Sequence, residues 1–282
     1  MKTARKPKNL FLFFSVTLPL LWLIRLSNSA RNYPEANYPV YSGAFAAESV
    51  APVNNLTVAS YNIRYAQQIE TAIAELQTLL AHEGLDILLL QEMTEPGAEQ
   101  IARALDFNYV YFPAAVEPRH NQDFGNAVLS RWPISDSQKL ILPHKSLNSR
   151  MIRIATRATL AVDSRAIVVY SVHAETILTL PSFRRDQFEA VLVDSAPETE
   201  LAIIGGDFNS VTLGQVAGIE ALYEPAGFTR ASANSGHTLV RFGTEAFADH
   251  IFSKGFTILA SGKIADATAS DHLPIWTRLA LN

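Results

Sequence analysis

Polar side chains follow the short apolar segments of this 282-residue chain. They are carboxylates, imidazoles and amides, groups that bind hard cations, move protons and hydrogen-bond to anions. The set consists of Asn62, Glu92, His173, Asp207, Asn209, Asp249, His250, Asp271 and His272. Any one of them alone is more simply explained as a turn residue or a solvated side chain. Their recurrence after several segments predicts one shared site, because loops held by a rigid sheet commonly build active sites.

The apolar segments follow two periodicities. Apolar residues recur at helical spacing over residues 69–80, and residues 181–193 predict a second helix with proline in its first turn. Strand-like segments occupy residues 56–61, 86–91, 127–129, 152–162, 166–172 and 201–205. This mixture predicts an α/β fold in a single domain: a four-layer sandwich of two packed mixed β-sheets flanked by helices.

The first thirty residues differ from the rest of the chain. Lys2, Arg5, Lys6 and Lys8 precede an apolar run at residues 10–24, and small polar residues follow it. The run has about 15 residues, fewer than the roughly 20 that span a bilayer as a helix. Residues 1–30 therefore predict a cleaved signal peptide, with an uncleaved membrane anchor as the alternative. Either one predicts an exported domain that is secreted, periplasmic or anchored outside the cytoplasm.

Residues 31–55 contain Pro34, Pro39 and Pro52 and show no periodicity, which predicts a flexible linker. The catalytic domain is then expected over residues 56–282. The chain has no cysteine, which excludes disulfides, thiolate metal sites and a cysteine nucleophile. Residues 1–30 hold five of the 23 Lys and Arg and none of the 27 Asp and Glu, so the remainder carries a formal charge of −9. That balance disfavours extended, tight binding to duplex nucleic acid.

Seven motifs in order resemble the endonuclease/exonuclease/phosphatase superfamily over about residues 56–280. They are YNIR, LLLQE, GNAVLSRWPI, VHAE, GGDFN, ADHIF and SDHLPI. This superfamily includes deoxyribonucleases, abasic-site endonucleases, sphingomyelinases and inositol polyphosphate phosphatases. GDFN alone is moderately specific, whereas the ordered set is highly specific. The resemblance implies a hydrolase of phosphoester bonds that depends on Mg²⁺, with Mn²⁺ as a substitute.

Carried over by position, the resemblance implies that Glu92 is the principal Mg²⁺ ligand, completed or supported by Asn62 and Asp271. Glutamate, asparagine and aspartate supply the oxygen ligands that Mg²⁺ prefers. The resemblance also implies that His272 lies beside the scissile phosphate and that Asp249 orients its ring.

The remaining roles concern water and phosphate. By the same resemblance, Asp207 positions or deprotonates the attacking water, while Asn209 and His173 donate hydrogen bonds to the phosphoryl oxygens. We also expect Asn126 and Arg150 to contact the substrate. His250 directly follows an aspartate and would point to the opposite face of a strand, so we interpret it as structural.

Three substrate classes remain open: extracellular nucleic acid, a phospholipid head group, and a small phosphodiester or phosphomonoester. Abasic-site endonucleases typically carry tyrosine at the position of His173, so the histidine argues against DNA repair. Two alternatives of another class are a non-catalytic binding module and a toxin subunit; the complete set of motifs argues against the first. We expect a monomer that could associate with a membrane through its N-terminus.

Overall fold

A computed structural model describes residues 29–47, 53–195, 200–241 and 244–281. The strands are β1 (Arg31–Asn32), β2 (Tyr41–Gly43), β3 (Asn55–Asn62), β4 (Ile87–Met93), β5 (Asn108–Glu117), β6 (Gln122–Ser130), β7 (Ile134–Lys145), β8 (Ile152–Val162), β9 (Arg165–His173), β10 (Ala202–Asp207), β11 (Thr229–Arg230), β12 (Leu239–Arg241), β13 (Thr244–Ala246), β14 (Asp249–Lys254), β15 (Phe256–Lys263) and β16 (Ile275–Leu281). The helices are α1 (Ile69–Glu83), α2 (Glu95–Ala104), α3 (Pro181–Ser195) and α4 (Leu213–Tyr223).

The strands form two large mixed sheets and one short hairpin. The first sheet has the order β1-β5-β6-β4-β3-β16-β15, and β2 also pairs with β5. The second sheet has the order β11-β14-β10-β9-β8-β7, while β12 and β13 form the hairpin. Among the strands of the described residues, two neighbouring pairs run parallel, β3 with β4 and β9 with β10. The carboxyl ends of these four strands therefore mark one edge of each sheet.

Apolar side chains fill three layers of core. Leu89 of β4 lies between the sheets with Ile154 and Val169 of the second sheet. Its neighbours Leu88 and Leu90 point to the other face, where α1 and α2 cover the first sheet. Helices α3 and α4 cover the outer face of the second sheet in the same way. The run of leucines in β4 is thus buried on both faces, and the predicted four-layer sandwich in one domain is confirmed.

The N-terminal segment differs from the predicted linker over residues 31–55. Strands β1 and β2 both pair with β5, and the ammonium of Lys139 donates hydrogen bonds to the carbonyl oxygens of Tyr33 (2.8 Å) and Tyr38 (2.9 Å). Residues 29–47 therefore lie on the domain, because the open edge of β5 offers unpaired backbone groups. The predicted sorting segment, except for its last two residues, lies outside the described residues. Among the described residues, no helix is both long and apolar enough to cross a membrane.

Candidate active site

The two sheets bring their functional side chains to the same edge. Asn62 ends β3 and Glu92 lies near the end of the adjacent parallel strand β4. On the second sheet Asp207 ends β10 and lies opposite His173 of β9 on one side and Asp249 of β14 on the other. Three strands thus place these three residues side by side. The candidate site is formed where both sheet edges meet.

A β-bulge directs Glu92 toward the site. Leu90 pairs with Ala127 and Met93 pairs with Gly125, so two residues of β4 lie opposite one residue of β6. Glu92 adopts a φ of 56°, which is uncommon for a residue with a side chain. A Cβ atom at Gly125 would lie 2.1 Å from a backbone oxygen of β5, so only glycine fits this closely packed position. The glycine of the GNAVLSR motif therefore supports the bulge that orients the glutamate.

A second glycine brings the strands of the GGDFN motif together. Gly206 has a φ of 148°, and a Cβ atom there would lie 1.9 Å from the carbonyl oxygen of Val172. The next residue, Asp207, places its Oδ2 3.6 Å from Nε2 of His173 and 3.8 Å from Nε2 of His272. The carboxylate therefore lies between two imidazole rings.

Asn62 connects the two carboxylates nearest the centre. Its Nδ2 donates to Asp207 Oδ2 at 2.9 Å and lies 3.4 Å from Glu92 Oε1. Its Oδ1 accepts the backbone N–H of Arg64 at 3.1 Å. In this orientation Asn62 supports the carboxylates by hydrogen bonds. Its Oδ1 keeps a second lone pair with which it could coordinate a cation.

Burial disfavours charge on both carboxylates. It raises the pKa of Glu92, although His272 and Arg153 oppose the shift. Burial likewise raises the pKa of Asp207 to about 7; His272 opposes that shift and Asp249 adds to it. The positive charge near both acids is therefore too small to balance their negative charge, and a bound cation would supply the difference.

The hydrogen bonds of Asp249 fix the orientation of His272. The Thr238 hydroxyl accepts two backbone N–H groups and donates its single hydrogen to Asp249 Oδ2 at 2.7 Å. The same oxygen lies 2.8 Å from Nδ1 of His272, so that ring nitrogen must be the donor. Burial alone would lower the pKa of His272, but Asp249 and Asp207 outweigh it and raise the pKa to about 10. The ring is therefore a cation at neutral pH, and its Nε2 faces Asp207.

His173, in contrast to His272, is held as a neutral imidazole. Nη1 of Arg153 lies 3.1 Å from its Nε2, and Nη2 of the same guanidinium lies 3.3 Å from Oε1 of Glu175. Burial and the Arg153 charge lower the pKa of His173 well below its usual range. Nη1 also lies 3.4 Å from Nδ1, and a guanidinium only donates, so this contact does not fix which ring nitrogen carries the hydrogen. Donation from His173 to a phosphoryl oxygen stays a prediction.

The donor chemistry fits a hard divalent cation. Glu92 and Asp271 supply carboxylate oxygens at the site, and the chain contains no thiolate. Ligand atoms of Asp207, Asp249 and His272 also lie within 4.8 Å of one another. His272 and Asp249 are hydrogen-bonded to each other, however, and their shared oxygen also accepts from a threonine. That trio is better explained as an acid–base group beside a metal site that Glu92 and Asp271 would hold.

Two further predicted residues lie elsewhere. The amide of Asn126, only 1% exposed, donates both hydrogens to the carbonyl oxygens of Ile154 (3.0 Å) and Ser171 (2.9 Å). It therefore ties the two sheets together beneath the site, which differs from the substrate contact that we predicted. Arg150 lies in the exposed turn between β7 and β8 and lines a pocket there rather than joining the carboxylates. Its contact with substrate stays a prediction.

Three supporting residues were not identified from the sequence. Thr238 is buried and holds Asp249. Arg153 is buried against His173. Arg184 of α3 donates to the carbonyl oxygens of Phe208 and Asn209, fixing the loop after Asp207. Strand alternation separates Arg153 from the apolar face of β8, but the sequence gives no sign of what covers the arginine.

Asn209 is held by this loop. Its backbone N–H donates to Asp207 Oδ1 at 2.8 Å, and its Nδ2 donates to the carbonyl oxygen of Ala174 at 3.0 Å. The residue has a φ of 53°, a conformation that asparagine tolerates better than most residues. Its predicted donation to phosphate can use the second amide hydrogen.

His250 lies on the other side of its strand, packed near Phe208 and Phe252. Its Nε2 lies 2.7 Å from Ser210 Oγ, whose hydrogen is donated to the carbonyl oxygen of Phe247. The ring must therefore donate to the serine. Its Nδ1 is buried with no hydrogen-bond partner in the described part of the chain. Burial, aided by Arg230, lowers the pKa of His250 to about 3.

This buried neutral histidine predicts acid sensitivity. Because its pKa is about 3 in the folded state and near 6.5 when unfolded, only the unfolded state gains the proton between these values. The free energy of unfolding should therefore decrease as the pH falls across that window, by about 5 kcal/mol from this residue. Urea unfolding at neutral pH and at about pH 4.5 measures the loss. His250→Asn should reduce it, and the exposed His82→Asn should not. An equal pH dependence in both variants would contradict the assignment.

The site at this edge of the sandwich is the active site of a metal-dependent phosphoester hydrolase. A sequence model of the Endonuclease/Exonuclease/phosphatase family matches residues 59–272, and the chain belongs to this family. Members of the family are metal-dependent hydrolases of phosphoester bonds, as the motifs led us to expect. No curated protein matches the chain significantly.

Solved structures share the fold. An endonuclease/exonuclease/phosphatase family protein from Leptotrichia buccalis is 19% identical, with 80% of this chain and 100% of that one covered and a TM-score of 0.66. D. rerio TDP2, complexed with a single-strand DNA product, is 18% identical over 80% and 99% of the two chains, with a TM-score of 0.64. The mannosyl-6-phosphatase of Bacteroides thetaiotaomicron is 21% identical over 80% and 100%, with a TM-score of 0.63. At these sequence identities the comparisons show a shared fold and not a shared substrate.

Proposed function

We propose that the chain is an exported, Mg²⁺-dependent phosphodiesterase that uses in-line attack of water on phosphorus. One observation carries the proposal: Asp207 lies between the Glu92 side of the site and the cationic His272, 3.8 Å from its Nε2. A carboxylate with a pKa of about 7 exchanges protons near neutral pH. A neighbouring imidazolium stabilises negative charge that develops on oxygen.

The chain's own residues divide the reaction between them. Asp207 holds the water and takes its proton as the new bond between oxygen and phosphorus forms. His272, kept protonated by Asp249, faces the phosphoryl group and donates to the departing ester oxygen as its bond to phosphorus breaks. Asn209 and His173 orient the phosphoryl oxygens. Glu92 and Asp271 would hold Mg²⁺, which supplies neutralisation of charge on the phosphate.

The assignment of a substrate is a separate proposal. One structural relative was solved with a single-strand DNA product and another is a mannosyl-6-phosphatase, so likeness of fold does not select the substrate. We favour a diester, in which His272 would donate to the departing ester oxygen while Asp207, 3.8 Å away, would hold the attacking water. Export rests on the basic start and apolar run of residues 1–30. Cell fractionation checks it, and recovery of the full-length chain in the cytosol would refute it.

Metal removal tests the chemistry. With bis(4-nitrophenyl) phosphate as the substrate, excess EDTA should abolish hydrolysis and added Mg²⁺ or Mn²⁺ should restore it, because the oxygen donors at Glu92 and Asp271 suit hard cations. Ca²⁺ provides a control for charge without the compact octahedral geometry of Mg²⁺. Full activity in excess EDTA would overturn the proposal.

A further inference from the structure

Four large aliphatic side chains are exposed on one edge of the molecule. Leu147 lies in the turn between β7 and β8 and is 46% exposed; in the loop between β9 and α3, Ile177, Leu178 and Leu180 are 50%, 75% and 54% exposed. We call residues 144–150 and 176–180 together the loop face. A concentration of exposed aliphatic side chains of this kind marks an interaction surface.

The two loops form one surface. The ring of His144 stacks on Phe183 with centroids 3.7 Å apart, and the backbone N–H of Phe183 donates to Leu180 at 3.0 Å. Nε2 of Gln187 donates to the carbonyl oxygen of Pro143 at 2.8 Å. A pocket of about 410 Å³ lies among them. Leu147, Arg150, Ile152 and Phe183 are among the residues that line it.

The loop face borders the candidate active site. The loop after β9 begins directly after His173, the last residue of that strand. Ile152 lines the pocket, and the next residue, Arg153, contacts the ring of His173 at 3.1 Å. A molecule held on the loop face is therefore presented to the metal-binding edge of the sheets.

Exposed cations lie beside these aliphatic side chains, together with one half-exposed carboxylate, that of Asp186, which pairs with Nε2 of His144 at 2.6 Å. Lys145 and Arg150 lie in the turn itself, and Arg31 lies in the adjacent strand β1. Neither Lys145 nor Arg150 forms an ion pair with a carboxylate in the described residues. Local positive charge on an otherwise acidic chain, combined with aliphatic side chains, favours an anionic lipid surface over neutral lipid.

The N-terminal segment enters the domain at the same place. The backbone N–H of Ala30 donates to Ser149 at 2.7 Å, and Nδ2 of Asn32 donates to Arg150 at 3.0 Å. The apolar run of the sorting segment ends six residues before Ala30, at Ile24 in the sequence. Six residues span at most about 21 Å. An uncleaved anchor would therefore keep the loop face close to the bilayer.

We propose that the loop face docks on an anionic phospholipid bilayer and that the substrate is the head-group phosphodiester of a lipid drawn from it. The proposal rests on the phosphodiesterase function above. It is favoured over a protein partner because the exposed side chains, the cations and the entry point of the N-terminus all lie on one edge. Docking there brings a head group to His173 and Asp207 without removing the lipid far from the interface.

A fluorescent probe tests docking without using activity. The chain contains no cysteine, so Leu178→Cys in the full chain gives a single site for an environment-sensitive dye. Val193→Cys is the matched control, since Val193 is 72% exposed near the far end of α3, a helix about 22 Å long. Phosphatidylcholine vesicles containing phosphatidylglycerol should raise and blue-shift the emission at position 178 and leave position 193 unchanged. Equal responses at both positions, or a response at 178 to DNA and none to vesicles, would overturn the proposal.

Activity then separates docking from chemistry. Leu178→Asp should lower the ratio of the rate on phospholipid vesicles to the rate on bis(4-nitrophenyl) phosphate about tenfold, because one buried leucine is lost from the interface. Val193→Asp should leave that ratio unchanged. An unaltered ratio in Leu178→Asp would overturn docking while the phosphodiesterase function stands. Absence of hydrolysis of both substrates would instead overturn the phosphodiesterase function, and the fluorescence result would still decide docking.

Discussion

Replacing His272 with alanine should lower kcat at least about a hundredfold, the usual loss when one hydrogen-bond donor to a transition state is removed. The ring is a buried cation at neutral pH, because Asp249 and Asp207 raise its pKa to about 10. Alanine removes both that charge and the donor facing the phosphoryl group. The thermal midpoint should also fall, since the two carboxylates lose their compensating charge. The loss of kcat, measured well below that midpoint, should remain.

His250→Ala is the matched control for this prediction. His250 is also a buried histidine that follows an aspartate, but its ring packs near Phe208 and Phe252 and hydrogen-bonds to Ser210. Its removal should cost stability and leave most of the activity of the folded enzyme. If His250→Ala were as inactive as His272→Ala while circular dichroism showed both to be folded, the roles of the two Asp-His pairs would be wrongly assigned.

Glu92→Gln should lower kcat by about a hundredfold or more and raise the Mg²⁺ concentration that gives half-maximal rate. Burial raises the pKa of Glu92, so its charge is unfavourable until a cation compensates it. In EDTA the glutamine variant should therefore unfold at a higher temperature than the wild type. Added Mg²⁺ should stabilise the wild type more, because only a ligand that binds the folded state raises the midpoint. Rate and thermal midpoint, each titrated with Mg²⁺, measure the two effects.

Glu99→Gln is the control for this variant. Glu99 is a partly exposed carboxylate of α2 that pairs with Arg103 four residues later, and such surface pairs contribute little to stability. Its replacement should alter neither the rate nor the response to Mg²⁺. An unchanged Mg²⁺ requirement in Glu92→Gln would show that Glu92 is not a metal ligand.

The sequence predicted the central strands well because they are encoded locally. Short apolar segments predicted β3, β4, β9 and β10, and the polar residues at or near the ends of these strands lie together in the structure. Helix α2 was not predicted, since Pro96 and Gly97 obscure its periodicity, although Thr94 caps it by accepting from the Gly97 N–H. Helix α4 was not predicted either, because its apolar residues do not lie on a single face.

Non-local contacts could not be predicted in the same way. The pairing of β1 and β2 with β5 depends on an open sheet edge about 70 to 85 residues away, which no local pattern reveals. The same holds for Thr238, whose hydroxyl becomes important only where the chain returns beside Asp249. Sequence alternation could place Arg153 on a face of β8, but the neighbours on that face come from β9 and the loop after it.

The polar side chains between the sheets affect how accurately the two halves of the candidate site are aligned. Nε2 of Gln91 donates to Ser171 Oγ at 2.9 Å, and Asn126 donates to two carbonyl oxygens of the second sheet. Apolar packing between two sheets opposes their separation but opposes sliding of one sheet over the other only weakly, because a displaced apolar side chain packs against another apolar neighbour. A hydrogen bond is directional and is lost when its donor and acceptor slide apart. Glu92 belongs to one sheet and Asp207 to the other. The hydrogen bonds of Gln91 and Asn126 therefore hold the two halves of the reaction centre in a fixed relative position.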